Sequence, residues 1–494
     1  MQPVSAACRA TGLILFCAFA LVTAGLVLYS QTLAFTWDEG FHILTAQLIK
    51  HGKRPYFDFV FSQTPLNAYW NAGWMAIFGE SWRVPHLMAA LCSAAAVVLT
   101  GRWAFLRFPV PGWRLPAAML ATVLTGLNPL VVQYGGIAQA YGFALLSVAA
   151  AYRLAVRSVE RQSVGSAGLA GLASGIAAGA TLLTAPVSPV LLIWILIYTQ
   201  ARLRWANFAA FMLGTITAFL PVLWLFVQGP RQTFFNVIEY NALYRRLDWP
   251  WPDPLQQNFE VLLSWIDSGP TLLLLLFAAG GLLFICFRSD WKPPRKAEFY
   301  LCAWLSVALG VYISSVLPTF PQYYIFTVPF LGILAVAGVY AAVSNLYEAD
   351  RPWKPILLLT FLLAFGLAKN VYDERDSFGW ADLEKTASKV SEVTTSQQTL
   401  FADEFIYFLT RHAPPSGMEK WDSHSFNFAP PKLALLHLIP RAELERQVQA
   451  GTFSTLETCQ EQDYIQAHGY AKPYAKSAMA GECMVFWDKR PLEH

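Results

Sequence analysis

The sequence has 494 residues, of which 55% are hydrophobic and only 14% are charged, whereas about a quarter of the residues in a soluble protein are charged. The formal net charge of +3 is too small to indicate binding to nucleic acid. The composition therefore excludes an ordinary soluble protein and predicts an integral membrane protein.

Apolar runs long enough to cross a bilayer, roughly 17 to 25 residues each, recur through the first three quarters of the sequence. We predict a mainly α, polytopic protein with about eleven transmembrane helices, at 11–30, 84–101, 115–133, 138–155, 165–183, 186–201, 205–227, 270–287, 298–317, 323–344 and 354–370. The fifth and sixth lie in GLAGLASGIAAGATLLTAPVSPVLLIWILIYT, which is broken by Pro186 and Pro189. That stretch is compatible with two short spans or with one re-entrant pair.

The loops between these spans indicate an orientation, because cytoplasmic loops are enriched in Lys and Arg. If the N-terminus is cytoplasmic, the loops on that side contain Arg102, Arg107, Arg114, Arg153, Arg157, Arg161, Arg202, Arg204, Arg288, Lys292, Arg295, Lys296, Arg351 and Lys354. The opposite loops are very short or, at 31–83 and 228–269, long with few Lys and Arg. We therefore expect these two loops, and everything after residue 371, on the outside.

The start of the chain has a second interpretation, because Arg9 followed by an apolar run resembles a signal peptide. The run is closer to spanning length than to the 7 to 15 residues, roughly, of a signal-peptide core. We interpret it as the first span.

Asp38 and Glu39 follow the first span in AFTWDEGFHIL. One interpretation is structural, because Thr36 and Glu39 fit the capping box of a helix that continues with apolar residues at helical spacing. The other is functional, because carboxylates held at the edge of the hydrocarbon are costly without a task or a partner. His42 lies four residues after Asp38, so the pair could ligate a divalent metal, but no third ligand follows at a suitable spacing.

A surface helix is predicted later in the same loop. Thr64 and Pro65 fit the N-cap and first position of a helix, and Asp58 fits a turn before it. The helix carries an apolar and aromatic stripe, formed by Leu66, Tyr69, Trp70, Gly73, Trp74, Ile77 and Phe78. A helix of this kind lies along the membrane surface, so the first external loop is predicted to be amphipathic.

The tail from 371 to 494 is polar and long enough for a small domain. Helices are predicted in ADLEKTASKVSEV, EFIYFLTRH and RAELERQVQAG, and strands in TLFAD, TFSTLETC and CMVFWDK. This pattern predicts a small α/β domain after a transmembrane domain spanning 1–370. In an oxidising compartment Cys459 and Cys483 could form a disulfide, and two unpaired thiols in a core are the alternative.

Several short motifs in this layout resemble a known class of proteins. They are WDEG after the first span, PYFDF and QTPL before the surface helix, Arg83 at the start of the second span, and PQYYIFTVPFLGILAVAG as a late span. Together with the external α/β tail, they resemble the polyprenyl-phosphate-dependent glycosyltransferases of the GT-C class. The chain is most similar to the bacterial relatives of the protein O-mannosyltransferases and to the lipid A aminoarabinose transferases.

The resemblance implies a function and a location. The expected donor is a sugar on a polyprenyl phosphate, the partners are membrane lipid and an extracytoplasmic acceptor, and no nucleic acid is involved. The expected location is the bacterial inner membrane, with the N-terminus in the cytoplasm. The motifs identify no cofactor, and a divalent metal is the alternative. A flippase or transporter for lipid-linked sugar, and a non-catalytic factor for envelope polysaccharide assembly, are the alternatives.

The resemblance also implies residue roles. Asp38 is expected to be the general base, with Glu39 as the second carboxylate. Arg83, Arg245 and Arg246 are the candidates for binding the donor phosphate, although arginines at span ends also bind lipid headgroups. The candidates for positioning donor or acceptor are Asp58, Gln63, Gln139, Tyr141, Tyr323 and Tyr324.

Two positions depart from the family pattern. Many relatives carry a basic residue where this chain has Thr64, and an acid at the outer start of the fourth span, where it offers Gln139 and Tyr141. These departures are compatible with the general reaction class, but the family pattern then does not identify the sugar or the way in which its phosphate is held.

Overall fold

The computed structural model describes residues 6–32, 38–245, 253–288, 290–346, 352–375, 378–420, 426, 428–460 and 462–490. Within these ranges the protein is mainly α-helical, and a single four-stranded sheet lies near the C-terminus. The predicted fold class, a polytopic and mainly α membrane protein with a small C-terminal α/β domain, is confirmed.

The helices occupy most of the described chain. In chain order they are α1 (Ala6–Tyr29), α2 (Glu39–Lys50), α3 (Leu66–Phe78), α4 (Arg83–Arg107), α5 (Arg114–Gly126), α6 (Pro129–Tyr134), α7 (Tyr141–Arg161), α8 (Val164–Ala180), α9 (Val187–Tyr198), α10 (Arg204–Gln228), α11 (Pro230–Phe234), α12 (Pro254–Asp267), α13 (Gly269–Phe287), α14 (Pro293–Ser315), α15 (Val328–Leu346), α16 (Trp353–Asp373), α17 (Trp380–Val393), α18 (Glu404–Thr410), α19 (Pro430–Leu436), α20 (Arg441–Gln449) and α21 (Gln462–Ala467). A π-helical segment, Phe235–Tyr244, continues α11.

Eight helical segments in the described ranges are long and apolar enough to cross a membrane. They are Ala10–Tyr29, Arg83–Arg107, Tyr141–Arg161, Ala201–Gln228, Gly269–Phe287, Pro293–Ser315, Pro321–Asn345 and Trp353–Asp373. All eight coincide with predicted spans. Four of them, Ala10–Tyr29, Ala201–Gln228, Gly269–Phe287 and Trp353–Asp373, expose most of their apolar surface, as expected for helices whose solvent is lipid, whereas Pro321–Asn345 is largely buried within the protein.

The other three predicted spans contain shorter helices. The stretch 115–133 is divided into α5 and α6, because the side chain of Asn128 accepts a hydrogen bond from the amide of Leu130 and Pro129 starts a new helix. The stretch with Pro186 forms two helices, α8 and α9, separated by a 3₁₀ turn at Leu182–Thr184. Capping residues and prolines therefore shorten these helices without changing the apolar character of the segments.

The chain divides into two compact units. Unit 1 contains Met1–Gln31, His86–Pro221 and Trp249–Asp376, and unit 2 contains Thr32–Pro85, Val222–Asp248 and Ser377–His494. Unit 2 thus combines the loop after the first span, part of the second long loop and the C-terminal tail. Segments that are far apart in sequence are neighbours within it.

Close helix packing characterises unit 1. A Cβ atom on Gly338 of α15 would lie 1.9 Å from the carbonyl oxygen of Phe277 in α13, and one on Gly281 of α13 would lie 2.1 Å from that of Leu334 in α15. Only glycine allows two helix backbones to approach this closely. Small residues at helix crossings are typical of membrane proteins, where van der Waals packing stabilises helix association.

The sheet of unit 2 has the strand order β1-β2-β4-β3. Its strands are β1 (Leu400–Phe401), β2 (Thr455–Thr458), β3 (Tyr474–Ala480) and β4 (Cys483–Lys489). β1 pairs with β2 in parallel, and the other pairs are antiparallel. All six predicted tail elements are present. β3 was not predicted, because YAKSAMA is mostly exposed and lacks the β-branched residues typical of strands.

Candidate active site

The candidate catalytic residues lie at the start of α2. Asp38 is the N-cap residue of this helix, yet its side chain makes no capping hydrogen bond to the first turn. Glu39, the first residue of α2, is 0% exposed. Thr36, which the capping-box interpretation requires, lies outside the described residues. The capping function does not account for the Asp38 carboxylate.

The first turn of α2 packs against the first turn of α18. A Cβ atom on Gly40 would lie 3.0 Å from Cδ2 of Phe405 and 3.1 Å from Cβ of Glu404. Further along α2, Nε2 of Gln47 donates a hydrogen bond of 3.2 Å to the carbonyl oxygen of Phe408. The two helices therefore run in the same direction, and their N-termini are neighbours. Helix N-termini favour negative charge, which makes this a suitable place for carboxylates.

Three carboxylates of the tail lie near this helix pair. We call Asp403, Glu404 and Glu457 the tail acidic cluster. The amide of Asp403 donates a hydrogen bond of 3.0 Å to Oε2 of Glu457. Burial raises the pKa of Asp403 to about 6. It also raises the pKa of Glu457 well above its usual range, and the charge of Asp403 adds to that increase. These groups hold protons more strongly than exposed carboxylates do.

A buried lysine lies beside the same turn of α2. Nζ of Lys420 is 5.2 Å from the centroid of the Phe41 ring, 4.6 Å from that of Tyr240, and 2.9 Å from the Tyr240 hydroxyl. His42 stacks on Phe41 at 4.4 Å between centroids. Burial, and then the charge of Lys420, lower the pKa of His42 to about 3. The imidazole is therefore neutral at physiological pH, and Lys420 provides positive charge near the first turn of α2.

The segment that leads to α3 is held in place by backbone-directed hydrogen bonds. Oδ2 of Asp58 accepts a hydrogen bond of 2.7 Å from the amide of Arg54, so its carboxylate closes a turn. The hydroxyl of Tyr56 donates to the carbonyl oxygen of Gln63 at 2.6 Å. The amide of Phe61 donates to Oδ1 of Asn236 at 3.0 Å, which joins this segment to the π-helical segment. Asp58 thus has a structural function, and the main chain of Gln63 is held by Tyr56.

The three candidate phosphate-binding arginines have different positions. Arg83 is exposed, and its guanidinium lies 4.4 Å from the centroid of the Trp82 ring. Trp82 in turn stacks on Trp380 of α17 at 4.5 Å between centroids. Arg245 is half-buried at the end of the π-helical segment. Arg246 lies outside the described residues. The stacking of Arg83 is sufficient to explain its conformation without a phosphate.

The remaining candidates belong to unit 1. Gln139 is buried, and its Nε2 is without a hydrogen-bond partner. Tyr141 starts α7, with its ring 6.5 Å from that of Tyr323 between centroids. Tyr324 is directed elsewhere, because its hydroxyl is 2.8 Å from Oγ of Ser314 and its ring stacks on Trp265 at 4.2 Å. The structure brings Tyr141 and Tyr323 together and gives Tyr324 a packing role.

The surface helix α3 has an unusual distribution of side chains. Its buried face contains Asn67 and Asn71, together with alanines and Met75. The C-terminal end of its predicted apolar stripe points outward, with Ile77 68% exposed and Phe78 59% exposed. The other large side chains of the stripe, Leu66, Tyr69, Trp70 and Trp74, are half-buried. A helix of a soluble protein would bury the apolar face. The inverted arrangement fits a helix that rests on lipid.

Cys459 and Cys483 are joined in a disulfide bond. Glu457, Cys459 and Cys483 form the one group of three potential metal ligands within 4.8 Å that the described residues contain. Because the two sulfur atoms are bonded to each other, their thiolates are not available to a metal. Asp38 and His42 do not belong to a group of three in the described ranges, so the metal alternative stays a prediction.

Comparison with known proteins identifies the fold. No protein-family model matches the sequence, and no curated protein matches it. ArnT from Cupriavidus metallidurans bound to undecaprenyl phosphate matches with a TM-score of 0.66, 14% identity, and coverage of 97% of this chain and 98% of that one. The apo form of that protein matches with a TM-score of 0.66, 16% identity and the same coverage. The apo Archaeoglobus fulgidus oligosaccharyltransferase has a TM-score of 0.48 and 11% identity, with coverage of 91% and 69%.

ArnT is a lipid A aminoarabinose transferase of the GT-C class. This chain has the GT-C fold, and the resemblance predicted from its motifs is confirmed at the level of fold. At this sequence identity the likeness shows the architecture alone.

Sequence reasoning did not identify Lys420, Asp403, Glu404 or Glu457 as neighbours of α2. The glutamate in TLET carried one signal, because a charged residue in a buried strand is rare without a partner or function. Lys420 carried no such signal, since a lysine in a polar tail is usually exposed.

Proposed function

We propose that the protein is a membrane glycosyltransferase that transfers a hexose or pentose from a polyprenyl-phosphate donor to an extracytoplasmic lipid, glycan or protein. The observation that carries the proposal is the start of α2, where Asp38 caps a helix without using its carboxylate for capping. It occurs in a chain with the GT-C fold over 97% of its length, and the matching ArnT structure contains undecaprenyl phosphate.

The reaction requires a base and a stabilised leaving group. Asp38 accepts the proton of the acceptor hydroxyl, and the acceptor oxygen forms a bond to the anomeric carbon. The bond between that carbon and the phosphate oxygen breaks, and its electron pair stays on the polyprenyl phosphate. Glu39 orients the acceptor or the base. Half-buried Arg245 is a candidate for contact with the phosphate, along with Arg83 and Arg246.

Three residues of unit 1 are candidates for contact with the donor. The buried amide of Gln139, whose Nε2 has no partner, can donate to a sugar hydroxyl or a phosphate oxygen. Tyr141 and Tyr323 present neighbouring rings that suit contact with a sugar or with the first prenyl units. Gln63 and Asp58 remain weaker candidates, because Asp58 already closes a turn.

The location is part of the proposal. We place the protein in a bacterial inner membrane, with the N-terminus in the cytoplasm and the transmembrane domain at 1–370. The C-terminal domain, 371–494, lies outside, where the disulfide Cys459–Cys483 is stable. A reporter that is active only in the cytoplasm, fused after His494, is expected to give no signal. A strong signal would contradict this topology.

Transfer of radiolabelled sugar by the purified protein tests the function. Polyprenyl-phosphate sugars are supplied as donors, and membrane extract is supplied as the source of acceptors. Label is expected to move to an acceptor, with release of polyprenyl phosphate. Movement of intact donor across a vesicle membrane would instead indicate a flippase. Donor binding without either reaction would indicate a non-catalytic assembly factor.

A further inference from the structure

The disulfide of unit 2 joins two cysteines in different surroundings. Cys459 follows the last residue of β2 and lies at the surface, whereas Cys483 starts β4 and is 0% exposed. The two strands are paired directly beside the disulfide, with Thr458 opposite Met484. Reduction would leave the backbone hydrogen bonds of this pair in place. An external thiol can therefore react with the sulfur of Cys459 without unfolding of the domain.

A buried carboxyl group lies beside this disulfide. Glu457 is 0% exposed, and its Oε1 is 3.2 Å from Sγ of Cys459. A carboxyl oxygen of Glu457 also lies within 4.8 Å of Sγ of Cys483. A sulfur atom in a disulfide carries no hydrogen, so a hydrogen bond between Oε1 and this sulfur requires a proton on the carboxyl group. The short distance is therefore the one expected for the neutral form of Glu457.

The surroundings of Glu457 favour that neutral form. Its other oxygen, Oε2, accepts a hydrogen bond of 3.0 Å from the amide of Asp403. Burial, and then the charge of Asp403, raise the pKa of Glu457 well above its usual range, and the charge of Glu404 adds to the increase. Tyr407 also interacts with Glu457, but burial raises the pKa of its hydroxyl, so it stays neutral. Glu457 therefore holds its proton at pH values where an exposed glutamate is ionised.

A structural function of Glu457 would not require an acid. Its hydrogen bond with the amide of Asp403, the N-cap residue of α18, needs only a side-chain oxygen. Glutamine has the same shape and supplies such an oxygen. Buried ionisable side chains are rare without a partner of opposite charge or a function. The proton of Glu457 is therefore the feature that calls for a function.

We propose that Cys459–Cys483 is a site of thiol–disulfide exchange with an external dithiol, and that Glu457 is its proton donor. This inference goes beyond the proposed glycosyl transfer and does not depend on it. A thiolate of the dithiol attacks Sγ of Cys459, and the bond between the two cysteine sulfurs breaks with its electron pair on Cys483. A thiolate buried at Cys483 is unfavourable, so the proton of Glu457 moves to it and Glu457 becomes a carboxylate.

A second exchange completes the reaction. The other thiolate of the dithiol attacks its own sulfur in the mixed disulfide, and Cys459 leaves as a thiolate that takes a proton from water. The protein disulfide is thereby reduced by two electrons, and the external dithiol is oxidised to a disulfide. In the reverse direction, an external disulfide oxidises the two cysteines, and ionised Glu457 accepts the proton of Cys483.

The test follows reduction of the full-length protein in nanodiscs by dithiothreitol. Free thiols are first blocked with N-ethylmaleimide, and the two thiols released from Cys459 and Cys483 are then counted with a maleimide mass tag. Glu457→Gln keeps the oxygen that binds the Asp403 amide but has no acidic proton to give. It is expected to slow reduction by about 10-fold to 100-fold, at or below the lower end of general acid catalysis, because thiolates leave readily.

Glu443→Gln is the matched control. Glu443 is a carboxylate of the same tail, in α20, and forms an exposed ion pair of 2.6 Å with Arg446. This variant removes one carboxylate from the domain without changing the surroundings of the disulfide. It should be reduced at the parental rate. The melting temperature of each oxidised protein verifies that both variants are folded.

A pH profile separates proton donation from a structural effect. The reduction rate is divided by the fraction of dithiothreitol that is present as thiolate. In the parent this corrected rate should fall as the pH rises and Glu457 loses its proton, whereas in Glu457→Gln it should be lower and change much less. Asp403 and Glu404 are present in both proteins, so the difference between the two profiles belongs to Glu457.

Three results would overturn the proposal. Equal reduction rates in the parent and Glu457→Gln would remove the role of Glu457. A corrected rate in the parent that does not change with pH would do the same, and the parent profile decides alone if Glu457→Gln fails to fold. Glutathione, used in place of dithiothreitol, should be recovered as a mixed disulfide on Cys459. Its recovery on Cys483 instead would contradict attack on the exposed sulfur.

Discussion

Helices α2 and α3 are neighbours in sequence, belong to the same unit and have 12 and 13 residues, yet they bury opposite kinds of side chain. α2 buries nearly all of its first three turns, including Glu39 and His42. α3 buries two asparagines and exposes the C-terminal end of its apolar stripe, Ile77 and Phe78. α2 thus buries ionisable groups within the protein, as the proposed function requires, whereas α3 exposes apolar groups of the kind that contact lipid.

The difference shows that two amphipathic sequences need separate interpretation. Hydrophobic spacing alone predicts helices at both places, but it does not reveal which face is covered by protein. In α3 the covered face carries two asparagines beside Ala68, Ala72 and Met75, and the exposed end of the apolar stripe is favourable only if it is not in water. In α2 both faces are covered, and the polar groups then need partners or a function.

The largest effect is expected for Asp38→Asn. Asparagine and aspartate have similar preference for the N-cap position, so folding should be retained. Asparagine cannot accept the acceptor proton, so the transfer rate should fall by about 100-fold to 10,000-fold. The measurement is sugar transfer by purified protein at matched expression. Asp373→Asn, which removes an exposed carboxylate paired with Lys369, is the control and should leave transfer unchanged.

Near-normal transfer by Asp38→Asn would contradict the assignment of the base. Glu39 and then Asp58 would become the candidates. With that result α2 and α3 would differ only in burial, because α2 would then be an ordinary packed helix without a catalytic carboxylate.

The second effect concerns packing of α2. Gly40→Leu places side-chain atoms where Phe405 and Glu404 already lie at 3.0 and 3.1 Å from a Cβ position. Phe405 is itself buried, with its ring 5.3 Å from that of Trp380. The substitution should destabilise the protein by about 1 to 3 kcal/mol, as overpacking does. A lower melting temperature in detergent is the measurement, and an unchanged value would show that α2 and α18 pack less closely.

Much of this architecture could be predicted from the sequence, because local patterns determine it. The long spans, the stripe of α3 and the tail elements follow from apolar periodicity and from capping or turn residues. The relation of Lys420 to Phe41 could not be predicted, since it joins residues almost 400 positions apart. Nor could the closeness of α18 to α2, which depends on tertiary packing around one glycine, Gly40. The sequence motif was sufficient to identify the candidate base, Asp38, whereas its neighbours could be identified only from the tertiary structure.

The third effect is a dependence of stability on pH. The native protein binds protons that the unfolded chain releases, because burial raises the pKa of Asp403 from 3.8 to about 6 and that of Glu419 from 4.5 to about 7. Glu457 is shifted in the same direction. The contribution of these groups to the free energy of unfolding is fully present below their unfolded pKa values and is lost as the pH rises through about 6 to 7.

The contribution of these carboxylates should therefore lower the melting temperature between about pH 5 and about pH 7.5, and His42 offsets part of this decrease, because its lowered pKa favours the unfolded chain below about pH 6.5. Asp403→Asn should reduce this difference without abolishing it, because Glu419 and Glu457 remain. The same pH dependence in the parent and in Asp403→Asn would contradict the raised pKa of Asp403.

The smallest effect is expected on the exposed face of α3, and it is the counterpart of Gly40→Leu. Gly73 lies on the outward stripe, and no atom lies within 4 Å of a Cβ placed there. Gly73→Leu should stabilise the protein by about 0.5 to 1 kcal/mol, because glycine is a poor helix former and leucine a good one.

The same substitution tests whether α3 faces lipid. If it does, the added side chain should increase the affinity of the helix for the membrane, and the protein in nanodiscs should not aggregate. If the stripe faces water instead, the same substitution enlarges an exposed apolar patch, and aggregation should increase in detergent-free buffer. The melting temperatures of Gly73→Leu and Gly40→Leu are therefore compared in nanodiscs. A rise for the first and a fall for the second would show that α3 is open at this position whereas α2 is covered by protein.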